Sequence, residues 1–172
     1  MPPTKFEAIN AATRLCAVFG LPIKHSASPA MHNAAFAALG LNWCYAACEV
    51  DPQHLRAAIA GAKAMNFAGL NLTVPHKLLA VDMVDALDAT AQKWGAVNTI
   101  KFSDGQAKGY NTDADAIITS LREDLQVEPR GARVFLLGAG GAGRTAALRL
   151  AAEGVAELYL VNRTLSKAEE IA

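Results

Sequence analysis

The feature that most constrains the fold is a glycine-rich segment between an apolar run and a helix-forming run. Residues 138–143 have the spacing G-x-G-x-x-G, and the apolar run Arg133–Leu137 before them predicts a strand without polar alternation, as in a sheet buried on both faces. A helix over Thr145–Glu153 and a second strand over Glu157–Val161 follow. This order is typical of units that bind a diphosphate at a helix N-terminus. We therefore interpret residues 131–172 as the start of a Rossmann-type doubly wound domain; the alternative is a glycine-rich bend in another α/β unit.

The residues after the second strand bear on which dinucleotide such a unit would bind. An NAD site usually carries Asp or Glu there to bind the ribose hydroxyl, whereas this chain has Asn162-Arg163-Thr164. A guanidinium pairs with a 2′-phosphate, which an acidic side chain would repel. The sequence therefore predicts NADP rather than NAD; the alternative for Arg163 is an ordinary exposed loop arginine.

The preceding part of the chain, residues 1–130, has a strand–helix–strand–helix–strand rhythm. This rhythm predicts a three-layer α/β domain with a mainly parallel sheet. Residues 126–130 are polar and include a proline, so we place the domain boundary there. The expected elements are strands at 15–19, 43–50 and 68–74, a helix capped by Ser28 and closed by Gly40, a helix from Asp51, a helix over 82–94, a hairpin at Asp104-Gly105, a helix capped by Thr112, and a helix from Ser166.

Charge and cysteine content narrow the range of partners. The 172 residues include 16 basic and 16 acidic side chains, so the net charge is zero and a nucleic-acid partner is not expected. The N-terminal segment lacks an apolar signal region, and the uncharged stretch Ser26–Cys48 is interrupted by proline, glycine and asparagine, so we expect no membrane segment. Three cysteines, Cys16, Cys44 and Cys48, indicate free buried thiols and a reducing, cytoplasmic location.

Polar clusters lie at the predicted strand ends and loops, where α/β sheets place their ligands. The two serine hydroxyls are two residues apart, and the asparagine and threonine of the second cluster alternate with a leucine. Each cluster also has a structural interpretation: helix capping for the serines, a solvated charge for the lysine, and a dipole-matched acid for the aspartate. The clusters are Ser26 with Ser28, Asn71 with Thr73 and Lys77, Asn98 with Thr99, and Asn111-Thr112-Asp113.

Several reaction classes have no support in the sequence. The four histidines, His25, His32, His54 and His76, lack metal-ligand spacing, and Cys44 and Cys48 have no further Cys or His pair nearby, so no metal site is predicted. There is no G-x-S-x-G, no H-E-x-x-H and no Walker A motif.

Taken together, the motifs resemble those of the shikimate dehydrogenase family, including its quinate/shikimate members. The likeness runs from about Cys16 to the end of the sequence, in the same order and spacing. The matching motifs are G-x-P-I-x-H-S-x-S-P-x-x-H-N, N-x-T-x-P-x-K, G-A-V-N-T, G-x-N-T-D, G-A-G-G-A and N-R-T.

The resemblance implies a two-domain α/β enzyme that reduces 3-dehydroshikimate to shikimate with NADPH. By resemblance, Ser26 and Ser28 bind the substrate carboxylate, and Lys77 and Asp113 are catalytic and also contact substrate. The other substrate-binding residues implied are Asn71, Thr73 and Asn98. The cofactor-binding residues implied are Gly138, Ala139, Gly140, Gly141 and Ala142 in the glycine loop, and Asn162, Arg163 and Thr164 after the second strand.

Two departures from the family pattern qualify these expectations. Ala114-Asp115-Ala116 replaces the usual Gly-x-Gly, so we expect a tighter cleft with an added negative charge. The sequence also supplies two of the roughly six strands of a doubly wound domain, so we expect open apolar surface that favours disorder or association, for example as a homodimer. The alternatives to an NADP-dependent shikimate dehydrogenase are a quinate/shikimate dehydrogenase and a shikimate-binding module without catalysis.

Overall fold

The computed structural model describes residues 9–172, which form two β-sheets with helices packed against them. Residues 1–8, and with them most of the segment examined for a signal, lie outside the described residues. The strands are β1 (Arg14–Gly20), β2 (Trp43–Glu49), β3 (Gly69–Leu72), β4 (Ala86–Leu87), β5 (Thr99–Ser103), β6 (Gln106–Tyr110), β7 (Arg133–Leu137) and β8 (Glu157–Val161). The α-helices are α1 (Ser28–Ala38), α2 (Leu55–Ala64), α3 (His76–Leu79), α4 (Ala89–Trp94), α5 (Asp113–Glu123), α6 (Gly141–Glu153) and α7 (Leu165–Glu169). Short 3₁₀ turns cover Pro52–His54 and Ala80–Met83.

The larger sheet has six strands in the order β2-β1-β3-β5-β6-β4. Strand β1 pairs in parallel with β2 and β3, and β4 pairs in parallel with β6, whereas β5 is antiparallel to both of its neighbours. Five of the six strands therefore point the same way, as the mainly parallel prediction requires. The Asp104-Gly105 turn between β5 and β6 has positive φ at both residues, which is the geometry of a two-residue hairpin.

The core of the larger sheet lies between its strands and α2. Leu55, Ile59 and Ala62 of α2 are buried at helical spacing, and they pack with Phe19 and Leu72 from the sheet. On the edge strand β2, the Asn33 side chain bonds both the backbone N–H and the C=O of Tyr45 at 2.9 Å. Asn33 thus satisfies two groups that an edge strand would otherwise leave unpaired.

The smaller sheet pairs β7 with β8 in parallel, at the bounds expected from the sequence. Its burial differs from the expectation of a strand covered on both faces. Val134 and Leu136 on one face are half-buried, whereas Phe135 and Leu137 on the other face are 65% and 73% exposed. Within the described residues, helices cover one face of this pair and leave the other open.

Three local predictions about helices are wrong. The helix expected over 82–94 is interrupted, because Ala86–Leu87 pairs with β6 and the Asp85 carboxylate accepts a bond from the Ala107 N–H; α4 starts only after Asp88, whose side chain caps it. Ser28 is the first helical residue rather than the N-cap of α1. Thr112 occupies the N-cap position of α5, but its side chain makes no capping bond, because the Asn111 side chain accepts from the N–H groups of Asp113 and Ala114 instead.

Candidate active site

Lys77 and Asp113 form an ion pair at one end of the larger sheet. Lys77 lies in α3, shortly after β3, and Asp113 is the first residue of α5, shortly after β6. Lys77 Nζ donates to Asp113 Oδ2 at 2.7 Å, and the two side chains are 15% and 26% exposed. Partial burial weakens solvent screening, so the two groups interact more strongly than a surface pair would. The structure thus brings together the two residues expected to be catalytic.

Asn98 holds the other oxygen of the aspartate. Its Nδ2 donates to Asp113 Oδ1 at 2.6 Å and to Thr112 Oγ1 at 2.8 Å. Its Oδ1 accepts from the Thr112 backbone N–H at 3.0 Å, and the side chain is buried. Both Asp113 oxygens are therefore engaged, one by an amide and one by an ammonium, which fixes the carboxylate and stabilises its charge.

Asn71 and Thr73 lie on either side of the buried Leu72, at the end of β3. Asn71 Nδ2 donates to Thr99 Oγ1 at 3.1 Å, which brings Asn71 into the same polar group as Asn98. Thr73 packs against Gly20, where an added Cβ would come within 2.5 Å of Thr73 Cγ2. A glycine is therefore needed at the end of β1 for the two strand ends to approach this closely.

The paired serines lie in the connection from β1 to α1. Both are half-buried, and Ser26 Oγ accepts from the Ser28 N–H at 3.3 Å. The capping function expected of Ser28 is thus partly performed by Ser26. Within residues 9–172, no hydrogen bond joins either serine to the Lys77–Asp113 pair.

The glycine loop makes a close turn between β7 and α6. Gly138 has φ +106°, a conformation that side chains rarely adopt, and a Cβ on Gly143 would lie 2.0 Å from the Gly138 carbonyl oxygen. Asn162, directly after β8, accepts a bond from the Ala139 N–H at 3.1 Å through its Oδ1 and so ties the loop to the second strand. The first N–H groups of α6, starting at Gly141, lack partners within the helix and are available to an anion.

A cavity of about 340 Å³ lies between the glycine loop and Lys77. The Lys77 side chain lies against the loop, with its Cβ 3.2 Å from the position that a Cβ on Gly141 would take. Segments that follow strands of both sheets therefore line one cavity. Its lining comprises Thr73, Val74, Pro75, Lys77, Leu78, Ala139, Gly140, Gly141, Ala142, Arg144, Lys167, Glu170 and Ile171.

Two cationic residues in this lining, Arg144 and Lys167, were not among the sequence candidates. Arg144 directly follows the glycine motif, and Lys167 lies near the start of α7, so proximity to the two motifs was the signal that could have indicated them. Conversely, Arg163 and Thr164 are exposed and lie outside the cavity lining. The positive charge at the cavity itself thus comes from Lys77, Arg144 and Lys167.

The negative charge of Asp115 was expected in the cleft, but the structure places this side chain elsewhere. Ala114 is fully buried on the inner side of α5, where its methyl group fills core space. The Asp115 side chain accepts from Arg149 Nε at 3.3 Å and borders a separate groove beside Lys93 and Trp94. Two residues along a helix turn the side chain by about 200°, so Asp115 points away from the direction of Asp113 and adds no charge to the cavity.

A buried histidine, His76, directly precedes Lys77 in the sequence. His76 is fully buried, and neither of its ring nitrogens has a hydrogen-bond partner in the described part of the chain. Burial lowers the pKa of His76, while the nearby Val50 backbone and the charge of Asp51 act in the opposite direction. We therefore expect His76 to be neutral near pH 7.

The cysteines, the possible metal ligands and the lengths of the helices each bear on an expectation from the sequence. Cys16, Cys44 and Cys48 are free thiols; Cys16 is buried and the other two are half-buried. No group of three His, Cys, Asp or Glu side chains within residues 9–172 is placed to hold a metal ion. None of the helices in that range is long and apolar enough to cross a bilayer.

Comparison with known proteins identifies two family models along the chain. Residues 18–100 match the shikimate dehydrogenase substrate binding domain, and residues 120–172 match shikimate / quinate 5-dehydrogenase. Among curated proteins, the NADP(+) shikimate dehydrogenase of Methanopyrus kandleri is 45% identical over 165 residues, which cover 96% of this chain and 57% of that protein. The chain thus spans little more than half the length of this relative.

Two solved structures illustrate the likeness in three dimensions. A shikimate dehydrogenase crystallised in complex with NADP+ has a TM-score of 0.88 and 43% identity, covering 98% of this chain and 57% of that one. The shikimate 5-dehydrogenase of Thermus thermophilus, crystallised in complex with shikimate, has a TM-score of 0.83 and 37% identity, covering 92% and 60%. These two relatives bind NADP+ and shikimate, respectively, as small-molecule ligands.

Proposed function

The chain belongs to the shikimate dehydrogenase family, and from this premise we propose that it acts in the NADP-dependent, reversible reduction of 3-dehydroshikimate to shikimate. The observation that carries the proposal is the 2.7 Å pair of Lys77 and Asp113, of which Lys77 lines the same cavity as the glycine loop. Ketone reduction needs a proton donor at the developing alkoxide and a bound dinucleotide beside it. Lys77 as the proton donor and the glycine loop as the dinucleotide site, which line one cavity, support both needs.

The glycine loop has the shape that a dinucleotide diphosphate requires. A Cβ on Gly140 would meet nothing within 4 Å, so the backbone there is open to a ligand, and Gly143 allows the helix to start close to the strand. Residues Gly138 to Ala142 would hold the diphosphate at the N-terminus of α6, with Asn162 fixing the loop. Arg163, Thr164, Arg144 and Lys167 are the groups available for the phosphates, and we propose Arg163 for the 2′-phosphate.

In the reaction we propose, Lys77 donates its ammonium proton to the ketone oxygen as that oxygen gains charge. Asp113 orients Lys77 and accepts a bond from a substrate hydroxyl, and Asn98 keeps the carboxylate in place. The hydride added to the ketone carbon is supplied by the bound NADPH. In the oxidative direction, neutral Lys77 takes the hydroxyl proton, so one residue acts as acid and base.

The remaining polar residues are proposed to bind substrate. Ser26 and Ser28, between β1 and the start of α1, would hold the carboxylate through their hydroxyl groups. Asn71 and Thr73, at the end of β3, would bond the ring hydroxyls. Both strands point toward the same edge of the sheet, which supports one shared site.

We further propose that residues 1–130 form the substrate domain and residues 131–172 the first part of the cofactor domain, with the boundary at 126–130. That segment contains no helix or strand. Free thiols support a reducing compartment such as the cytoplasm, and the zero net charge supports small-molecule ligands rather than nucleic acid. The open apolar face of β7 and β8 supports association, for example as a homodimer.

The test is oxidation of NADPH by the full chain in the presence of 3-dehydroshikimate, and reduction of NADP+ with shikimate or quinate. We expect Lys77→Ala to lower kcat by about 10²- to 10⁴-fold without unfolding the protein, because one proton donor is lost. Asp113→Asn should lower both kcat and substrate affinity. Lys108→Ala, which removes an exposed lysine on β6, is the matched control. Near-normal turnover by Lys77→Ala would contradict the role of Lys77, and faster oxidation of quinate than of shikimate would reassign the substrate.

A further inference from the structure

A chain of side-chain hydrogen bonds continues from Asn98 to the far side of the sheet. Thr99 Oγ1 donates to Asn98 Oδ1 at 3.1 Å and accepts from Asn71 Nδ2 at 3.1 Å. Asn71 Oδ1 in turn accepts from Tyr45 Oη at 2.6 Å. This series of hydrogen bonds therefore runs from Tyr45 on the edge strand β2 to Asp113, by way of Asn71 on β3 and Thr99 on β5.

Each amide in this series of hydrogen bonds has one orientation that suits the donors and acceptors on both of its sides. The Asp113 carboxylate only accepts, and the Thr112 N–H only donates, so Asn98 must present Nδ2 to the first and Oδ1 to the second. Thr99 must then donate to Asn98, which leaves its lone pairs for Asn71 Nδ2. Asn71 Oδ1 is thereby turned away from Thr99 and needs a donor of its own.

Tyr45 supplies that donor, and several contacts hold it in place. Its side chain is buried, and burial, with a contribution from Cys16, raises the pKa of the phenol, so the hydroxyl stays protonated. The His32 ring stacks on the Tyr45 ring with centroids 4.3 Å apart and planes at 16°. The Asn33 side chain brackets the Tyr45 backbone at both its N–H and C=O. Tyr45 is thus a rigid hydrogen-bond donor at one end of the chain.

We propose that Tyr45 is a positioning residue of the active site: its hydroxyl holds the Asn71 amide with Nδ2 turned toward Thr99 Oγ1 and the Asn98 backbone carbonyl, so that the amide meets the substrate in one fixed orientation. This inference rests on the proposed function, in which Asn71 binds a substrate hydroxyl. Tyr45 touches neither Lys77 nor Asp113, and Asp113 retains its bonds to Lys77 and Asn98 without it. The loss of the Tyr45 hydroxyl should therefore weaken substrate binding more than the chemical step.

The kinetic test compares Tyr45→Phe with Tyr159→Phe in the full chain. Tyr159 is an exposed tyrosine on β8 whose hydroxyl bonds Glu157, so its substitution removes the same atom outside the network. For Tyr45→Phe we expect KM for shikimate to rise about three- to tenfold, the effect of one hydrogen bond, with kcat within about twofold and KM for NADP+ unchanged. Thr99→Val should raise KM for shikimate similarly, and Thr99→Ser, which keeps the hydroxyl, should restore it. A Tyr45→Phe protein with unchanged KM for shikimate would overturn the proposal.

A second readout does not depend on turnover. In ¹⁵N-labelled protein, Tyr45→Phe should shift the side-chain NH₂ resonances of Asn71, whose Oδ1 loses its donor, whereas Tyr159→Phe should leave them unchanged. Unchanged Asn71 resonances in Tyr45→Phe would show that the hydroxyl does not hold this amide, and would overturn the inference. Absence of shikimate turnover in the wild-type protein would instead contradict the proposed function, and the resonances would still decide whether Tyr45 orients the Asn71 amide.

Discussion

Asn111 Nδ2 donates a hydrogen bond to Thr145 Oγ1 at 3.2 Å, and this buried bond joins the helix of the glycine loop to the segment that carries Asp113. The same Nδ2 donates to the Ala96 carbonyl oxygen at 3.1 Å. Asn111 Oδ1 accepts from the N–H groups of Asp113 and Ala114 and so caps α5. One side chain thus fixes the start of α5 and contacts α6, which relates the position of the aspartate to that of the glycine loop.

We expect Thr145→Val to lower the free energy of unfolding by about 1–2 kcal/mol, because a buried amide hydrogen loses its acceptor while side-chain volume is kept. Urea denaturation measures this change. Thr145→Ser is the matched variant. Because it keeps the hydroxyl group that accepts from Asn111, it should retain the contribution of this hydrogen bond to the free energy of unfolding. Equal stability of the valine variant and the wild type would show that the Asn111–Thr145 bond contributes nothing net.

The two glycines of the loop should respond differently to a methyl group. Gly143→Ala places a Cβ 2.0 Å from the Gly138 carbonyl oxygen, so α6 must move and we expect a loss of about 1–3 kcal/mol in the free energy of unfolding. Gly140→Ala meets open space and should leave the fold stable while weakening NADPH binding. Thermal denaturation and NADPH titration of both variants separate the effects, and a Gly143→Ala protein as stable as the wild type would contradict the geometry.

Arg163→Ala should reduce the preference for NADPH over NADH. If the guanidinium meets the 2′-phosphate, its loss removes a charge-assisted bond of about 1.5–3 kcal/mol, or roughly ten- to a hundredfold in NADPH affinity, and leaves NADH affinity unchanged. Steady-state KM values for both nucleotides measure the ratio. Arg133→Ala, at the exposed start of β7, is the control for a lost positive charge. An unchanged ratio in Arg163→Ala would assign the phosphate contact to another cation.

His76 makes stability depend on pH. Its pKa is lowered in the folded protein below the ordinary value of 6.5, so as pH falls below 6.5 the unfolded chain takes up a proton that the folded chain does not. The free energy of unfolding therefore decreases as pH falls, by up to about 1.4 kcal/mol per pH unit from this group. His76→Phe removes this contribution, so we expect a flatter profile between pH 7 and 5 in urea denaturation. Parallel profiles for the two proteins would show that His76 does not titrate differently on folding.

The errors in the sequence-based description share one cause. Residues 82–94 are rich in helix formers, yet Ala86–Leu87 is a strand because β6 supplies backbone partners from 22 residues away. Ser28 and Thr112 have good N-cap side chains, but Ser26 and Asn111 are better placed to bond the first N–H groups. The free-energy differences that favour a helix or a particular cap locally are small, so contacts with distant residues override them.

The sequence by itself determined the local elements and the chemistry they carry. Apolar periodicity and glycine spacing predicted β7, β8, the glycine loop and the Asp104-Gly105 hairpin, because the pattern that indicates each of them lies within a short stretch of sequence. The types of residue needed for proton transfer were also visible, although their roles came from a family resemblance.

Only the tertiary structure decided which of these residues meet. Lys77 and Asp113 are 36 residues apart, and they come within 2.7 Å because the antiparallel β5 returns the chain so that β6 ends beside β3's end of the sheet. The strand order β2-β1-β3-β5 likewise brings Tyr45, Asn71 and Thr99, from three different strands, into one line of hydrogen bonds. The order of strands in a sheet is set by packing between distant segments, which no local pattern encodes, so the arrangement of the site had to come from the fold.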